Sequence, residues 1–146
     1  TPVKTTNLFL GIVISMFFTL SWMIRNHPHY YVYFNRLAGS NWDEKWDRDI
    51  WRLSTKQALE KLLAMDTDEK ILIEKQYNAE INSWILDENE QNRIVFVDSR
   101  DEANYYLVDY RNIVGNYQAN NNDFLEYLVI EVENKPIMAV YKRQTN

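Results

Sequence analysis

From Leu8 to Ile24 the chain runs LFLGIVISMFFTLSWMI, seventeen residues without a charge. Only Ser15, Thr19 and Ser21 are polar, and in a helix such hydroxyls bond back to carbonyls of the preceding turn. At ~1.5 Å per residue the stretch extends roughly 25 Å, the short end of a bilayer span. Trp22 lies near one end, where an interfacial aromatic belongs, and Lys4 and Arg25 bracket the run. A core helix would keep a polar face, and this one has none. A signal peptide would be followed by a small-x-small cleavage site, but Arg25-Asn26-His27-Pro28 follows here. The expectation is a transmembrane helix with short flanks over residues 1–26, and a lipid bilayer as partner.

The remaining 120 or so residues suffice for one compact domain and not for two. The chain lacks an initiator Met and starts almost directly in the apolar run, so it reads as an excerpt of a longer protein. Aromatic residues make up 14% of the chain, against three Gly and three Pro, which marks a folded domain and not a disordered tail. A net charge of −5 without a basic cluster argues against a nucleic-acid partner. The absence of Cys excludes a disulfide scaffold, a thiolate zinc site and a cysteine nucleophile. Three Gly cannot write a Rossmann or P-loop fingerprint, and no cofactor is expected.

Residues 27–41 form a juxtamembrane aromatic segment. Pro28 interrupts the helix, and Tyr30, Tyr31, Tyr33 and Phe34 follow at once. With Trp22 they are read as membrane-interface residues, each ring placing its body among acyl chains and its polar edge in water. Gly39-Ser40-Asn41 is a turn.

Residues 42–146 read as a small α/β or α+β domain. Ala58, Leu59, Leu62 and Leu63 share one face of a helix from Thr55 to Met65, with Ser54 as N-cap. Ile81, Trp84 and Ile85 repeat that spacing in a second helix, Ala79 to Leu86. Ile71–Ile73, Ile94–Val97 and Tyr105–Tyr110 read as strands, Ile94–Val97 as a buried one. Asp101–Asn104 is a polar break and Gly115–Asp123 a loop. Tyr127–Val132 and Ile137–Tyr141 flank Glu133-Asn134-Lys135-Pro136 as a closing hairpin, with Pro136 at the turn edge. The architecture expected is a mixed sheet with flanking helices and a C-terminal β-hairpin.

The residues offer little chemistry. His27 and His29 would point the same way in an extended chain, but no third His completes a metal site, and none is expected. Asp43, Glu44, Asp47 and Asp49 read as a solvated acidic loop with the Trp residues buried beside it. The sharper alternative is sugar or acceptor contact, Trp46 and Trp51 stacking while Asp49 accepts hydroxyls. Arg111 at a strand end suits pairing with a carboxylate better than holding a phosphate. Ser54 and Ser99 have no nearby His or Lys base. No catalytic residue is expected in the chain.

Four blocks carry a resemblance. HPHYYVYFNRLAGS (27–40), WDRDIWRLSTKQALEKL (46–62), DEANYYLVDYRN (101–112) and KPIMAVYKR (135–143) resemble, in the same order, the region after the last transmembrane helix of bacterial glycosyltransferase-C membrane enzymes. These are the enzymes of the dolichyl-phosphate-mannose-protein mannosyltransferase and 4-amino-arabinose transferase type. Ser40, Ile50 and Arg52 stand where the family pattern has Gly, Tyr and Gly. The resemblance implies a multi-pass enzyme of the cell membrane that moves a sugar from a polyprenyl-phosphate carrier to an extracytoplasmic acceptor. Its catalytic carboxylate would lie in the first extracytoplasmic loop, upstream of Thr1. This chain would be the last span plus an extracytoplasmic domain, partnered by the other spans and by the polyprenyl-phosphate sugar, and not catalytic alone. Arg25 and Arg36 after the span, against Lys4 before it, favour the opposite orientation by charge count. The other reading is a single-span membrane anchor carrying a binding or assembly module.

Overall fold

The computed structural model describes residues 5–32, 41–113 and 123–144, without the side chains of Trp42, Tyr77 and Asn112. The chain divides into two compact units, residues 1–33 and 34–146.

The first unit is built on helix α1, Thr5–Arg25. None of its residues is buried, and it is long and apolar enough to cross a membrane. Thr19 Oγ1 donates to the Ser15 carbonyl at 3.1 Å, the back-bond that lets a hydroxyl sit in an apolar helix. The Asn26 backbone and side chain both donate to the Trp22 carbonyl, at 3.1 and 3.0 Å, closing the helix end. A 3-10 turn, Tyr30–Val32, follows.

The second unit is a five-stranded mixed sheet with flanking helices. A short helix α2, Trp42–Lys45, precedes α3, Leu53–Met65. Strand β1, Ile71–Glu74, leads through α4, Tyr77–Ser83, and α5, Glu88–Arg93, into β2, Ile94–Val97. Strand β3, Tyr105–Asp109, and the hairpin of β4, Phe124–Val132, and β5, Lys135–Arg143, complete the order β2-β1-β3-β5-β4. The strands β1, β2 and β3 are parallel, and β5 is antiparallel to both its neighbours.

Register explains one unusual connection. Parallel strands normally need a long crossover, as α4 and α5 provide between β1 and β2. From β2 to β3 only residues 98–104 intervene. They suffice because Ile73 pairs with Tyr105 while Glu74 pairs with Val97, so β3 starts where β2 ends.

The helix α3 packs as its apolar stripe dictates: Ala58, Leu59, Leu62 and Leu63 are buried. Its Asp66 C-cap bonds Tyr105 and Lys142, which sets α3 on the sheet face carrying Tyr105. The opposite face gathers Tyr106, Val108, Tyr110, Phe124, Ala139 and Tyr141. There Tyr106 stacks on Tyr141 with centroids 4.9 Å apart and meets Phe124 edge-on.

Several expectations need correction. The N-cap of α3 is Arg52, with left-handed φ 54° and ψ 30°, and not Ser54, which lies inside the helix. The helix α4 ends at Ser83, so Trp84 and Ile85 project into solvent and Ala79, Ser83 and Leu86 are buried instead. The strand β2 is partly exposed, because it is a sheet edge. Pro136 falls inside β5, opposite Glu131 and beside a register irregularity, the kind of strand position that tolerates Pro. Tyr33, Phe34 and residues 114–122 lie outside the described residues.

The hairpin turns on two residues, Glu133 and Asn134, at φ 51° and 60°. Positive φ at both positions defines the turn that suits strand twist, and Asn or Gly enters it at least cost. Glu133→Asn is therefore expected to raise stability by about 0.5–1 kcal/mol. A thermal melt of the variant against the parent checks it, and an unchanged or lower midpoint would count against this reading of the turn.

Candidate functional site

The segment Asn41–Leu53 holds the candidate contact residues, and its burial differs in part from that expected. Asp43, Arg48 and Asp49 are buried, while Trp46 and Trp51 are 58% and 72% exposed. Of the four acids expected in a solvated loop, Glu44 and Asp47 are exposed but Asp43 and Asp49 are not, and the two rings are not tucked beside them.

Partners both near and distant in sequence account for the burial. Arg48 Nη2 donates to Asp43 Oδ2 at 3.2 Å, and Nη1 donates to the Pro136 carbonyl at 2.9 Å. Its guanidinium also lies 5.3 Å from the Tyr110 ring centroid. Lys135 Nζ sits 3.1 Å from Asp43 Oδ1, so one buried carboxylate serves two cations. Asp49 accepts from the Ser54 backbone N–H at 3.2 Å and from its hydroxyl, satisfying orphan donors of the first α3 turn. Arg52 Nε reaches Asp109 Oδ2 at 3.2 Å and its Nη1 bonds Asn78. Arg111 pairs with Asp47 at 3.1 Å, the kind of carboxylate partner expected at this strand end. Burial pushes the Asp109 carboxyl up, against the opposing pull of the Arg111 amide and Arg52.

Beside this network lies a depression of ≈ 150 Å³ lined by Asp43, Glu44, Lys45, Trp46, Asp47, Arg111 and Ile113. Small-molecule sites usually measure about 300–1,000 Å³. Trp46, Asp49 and Trp51 do not share one accessible surface, since Asp49 is fully buried.

A second polar cluster joins α3 to the sheet. The Tyr105 hydroxyl and Lys142 Nζ both donate to Asp66 Oδ2, the latter at 3.2 Å, and the Asp68 amide donates to Oδ1 at 2.8 Å. Lys142 lies 5.1 Å from both the Tyr105 and Tyr127 ring centroids. Burial raises the Asp66 carboxyl, but these donors outweigh it and hold the group below its usual range. Burial, then the Asp66 bond, pushes the Tyr105 hydroxyl up. The Tyr105 bond pushes the Lys142 ammonium up, and burial raises Tyr141. Tyr105 is fully buried, and the cluster anchors α3 to the sheet.

These directions give a pH prediction. A group whose pKa rises on folding adds stability below its unfolded value and loses it as pH rises through the folded value. Tyr105 and Tyr141, both buried, act this way, so stability should hold to about pH 10 and then fall, by up to ~1.4 kcal/mol per pH unit for each, while the partly exposed Lys142 adds less because solvent screens it. Melting followed at pH 9 and pH 11 checks it, and a flat profile would contradict the cluster.

The juxtamembrane residues are placed individually. Trp22 is partly exposed on α1, and Tyr30 is exposed with its ring 6.3 Å from His27. Tyr31 Oη lies 3.3 Å from Nδ1 of the buried His29. His27 is exposed, so the two His do not share the face an extended chain would give them. Among the described residues no group of three or more His, Asp or Glu is arranged to hold a metal ion.

Arg48 and Asp66 are not singled out by sequence, and the pairing of Arg52 with Asp109 is not foreseen. For Arg48 a signal exists: an Arg between two Asp in a Trp-flanked run suggests internal pairing. Comparison of the chain with known protein families, with curated proteins and with solved structures yields no match.

Proposed function

We propose that the chain is the last transmembrane helix and the extracytoplasmic C-terminal domain of a membrane glycosyltransferase using a polyprenyl-phosphate sugar donor. Catalysis would lie upstream of Thr1. The observation that carries the membrane part is α1: 21 residues, apolar, and none buried by the rest of the chain. At ~25 cal/mol per Å², such a surface is stable only against lipid or other helices.

Support for the glycosyltransferase part is the four-block resemblance. The blocks also touch one another in the fold. Block two meets block four through Arg48 and the Pro136 carbonyl, and block three through Asp47 and Arg111. Arg52 supplies a further correspondence. It adopts φ 54°, a conformation that Gly enters without strain, and it stands where the family pattern has Gly.

The domain's role in this reading is structural, holding its place at the membrane face beside the acceptor path. The chain reconstituted in vesicles should transfer no sugar from any polyprenyl-phosphate donor, and turnover by the chain alone would overturn the assignment. Reading the coding sequence upstream of Thr1 separates this from the other reading: further hydrophobic spans support the enzyme, and their absence supports a single-span binding module.

A further inference from the structure

The segment Asn41–Leu53 buries Asp43, Arg48 and Asp49 and leaves large apolar side chains exposed. Trp46, Ile50, Trp51 and Leu53 are all exposed, four large apolar residues within eight positions. Scattered exposed apolar residues are ordinary, whereas a concentration of them marks a surface that meets something. Charge beside them is largely cancelled. Asp43 is paired internally with Arg48 and Lys135, Asp47 with Arg111, and exposed Glu44 adjoins Lys45.

We propose that this loop docks in the headgroup region of the bilayer that holds α1, with Trp46 and Trp51 as its anchors. The proposal rests on the membrane reading of α1. Continuity of the chain favours lipid as the occupant. Residues 26–40 connect α1 to the loop, and at ~3.3–3.6 Å per residue they reach no more than about 54 Å. A loop tethered so close to a bilayer meets it at high effective concentration, so even a weak anchor engages. The chemistry also fits. An indole places its ring among acyl chains while its N–H stays hydrated, and the near-cancelled charge raises no repulsion from zwitterionic headgroups. A saccharide would instead need convergent acceptors, and Asp49 faces inward.

The absence of Cys makes single-site labelling direct. The full chain carrying Ile50→Cys with a nitrobenzoxadiazole fluorophore is reconstituted into phosphatidylcholine vesicles containing nitroxide lipids. Phe17→Cys reports on α1, and Glu88→Cys on a remote exposed site. Shallow nitroxides should quench position 50, deep ones position 17, and neither position 88. Trp46→Ala with Trp51→Ala should remove most of the quenching at 50 and leave that at 17 unchanged. Quenching at 17 without quenching at 50 overturns the docking and leaves the span intact. Shielding of position 50 from aqueous iodide without lipid quenching also overturns it, and indicates contact with protein, a second copy of the chain included. Loss of quenching at 17 as well overturns both readings. Leu53→Cys reads the same loop if the Ile50 variant does not fold, as judged by circular dichroism.

Discussion

Arg48→Ala is expected to destabilise the α/β domain by about 3–5 kcal/mol, because it leaves a buried carboxylate without its hydrogen-bonded partner. Arg48 is 1% exposed and Asp43 is 7% exposed. Removing the guanidinium also strands the Pro136 carbonyl, which it caps at 2.9 Å, and empties space beside Tyr110. Lys135 remains on Asp43 but at a partly exposed position, and an exposed cation contributes little by comparison. A loss of that size is a large share of the 5–15 kcal/mol that holds a typical domain folded. Urea unfolding followed by near-ultraviolet circular dichroism measures it. A double-mutant cycle with Asp43→Asn separates the pair from the packing: the double variant should be far less destabilised than the two single losses added together. Additive losses would mean that Arg48 acts through bulk alone.

Ile14→Arg together with Phe17→Arg is expected to remove the chain from the membrane. The helix α1 holds ten Leu, Ile, Val and Phe residues. Each favours insertion by about 0.3–0.6 kcal/mol near the centre of a span, whereas each Arg opposes it by about 2.5–3.5 kcal/mol. Two central Arg residues therefore exceed the whole apolar gain, while one would leave the balance near zero. Fractionation of cells expressing each variant reads the result. A doubly substituted chain that still behaves as an integral membrane protein would mean that partners other than lipid hold α1.

What could be read from sequence follows the range of the interactions concerned. The stripe Ala58, Leu59, Leu62, Leu63 and the hairpin ending in β5 depend on neighbours within a turn or a strand pair, so period and turn chemistry reveal them. The helix α5 escaped notice because it buries nothing and has no apolar stripe. Its signature was elsewhere: Asp87 and Glu90 form a capping box, a D-x-x-E spacing visible in the sequence. The burial within the 41–53 loop could be read only in part. Arg48 and Asp49 meet Asp43 and Ser54, each five residues away, but Lys135 on Asp43, the Pro136 carbonyl on Arg48 and Arg111 on Asp47 lie 64 or more residues away. The same holds for Asp66, whose partners Tyr105 and Lys142 come from two other strands. Sheet order and the stagger of β3 past β2 likewise depend on pairings that no local pattern encodes.

The central claim is that α1 is a bilayer span tethering an α/β domain, and alkaline carbonate extraction tests it most directly. Membranes from cells expressing the full chain are washed with carbonate, which strips peripheral proteins, and then treated with a mild detergent. The account expects the chain to stay in the pellet through the carbonate wash and to appear in the supernatant only with detergent. A chain released by carbonate, or found as a monodisperse species in the soluble fraction without detergent, would contradict it.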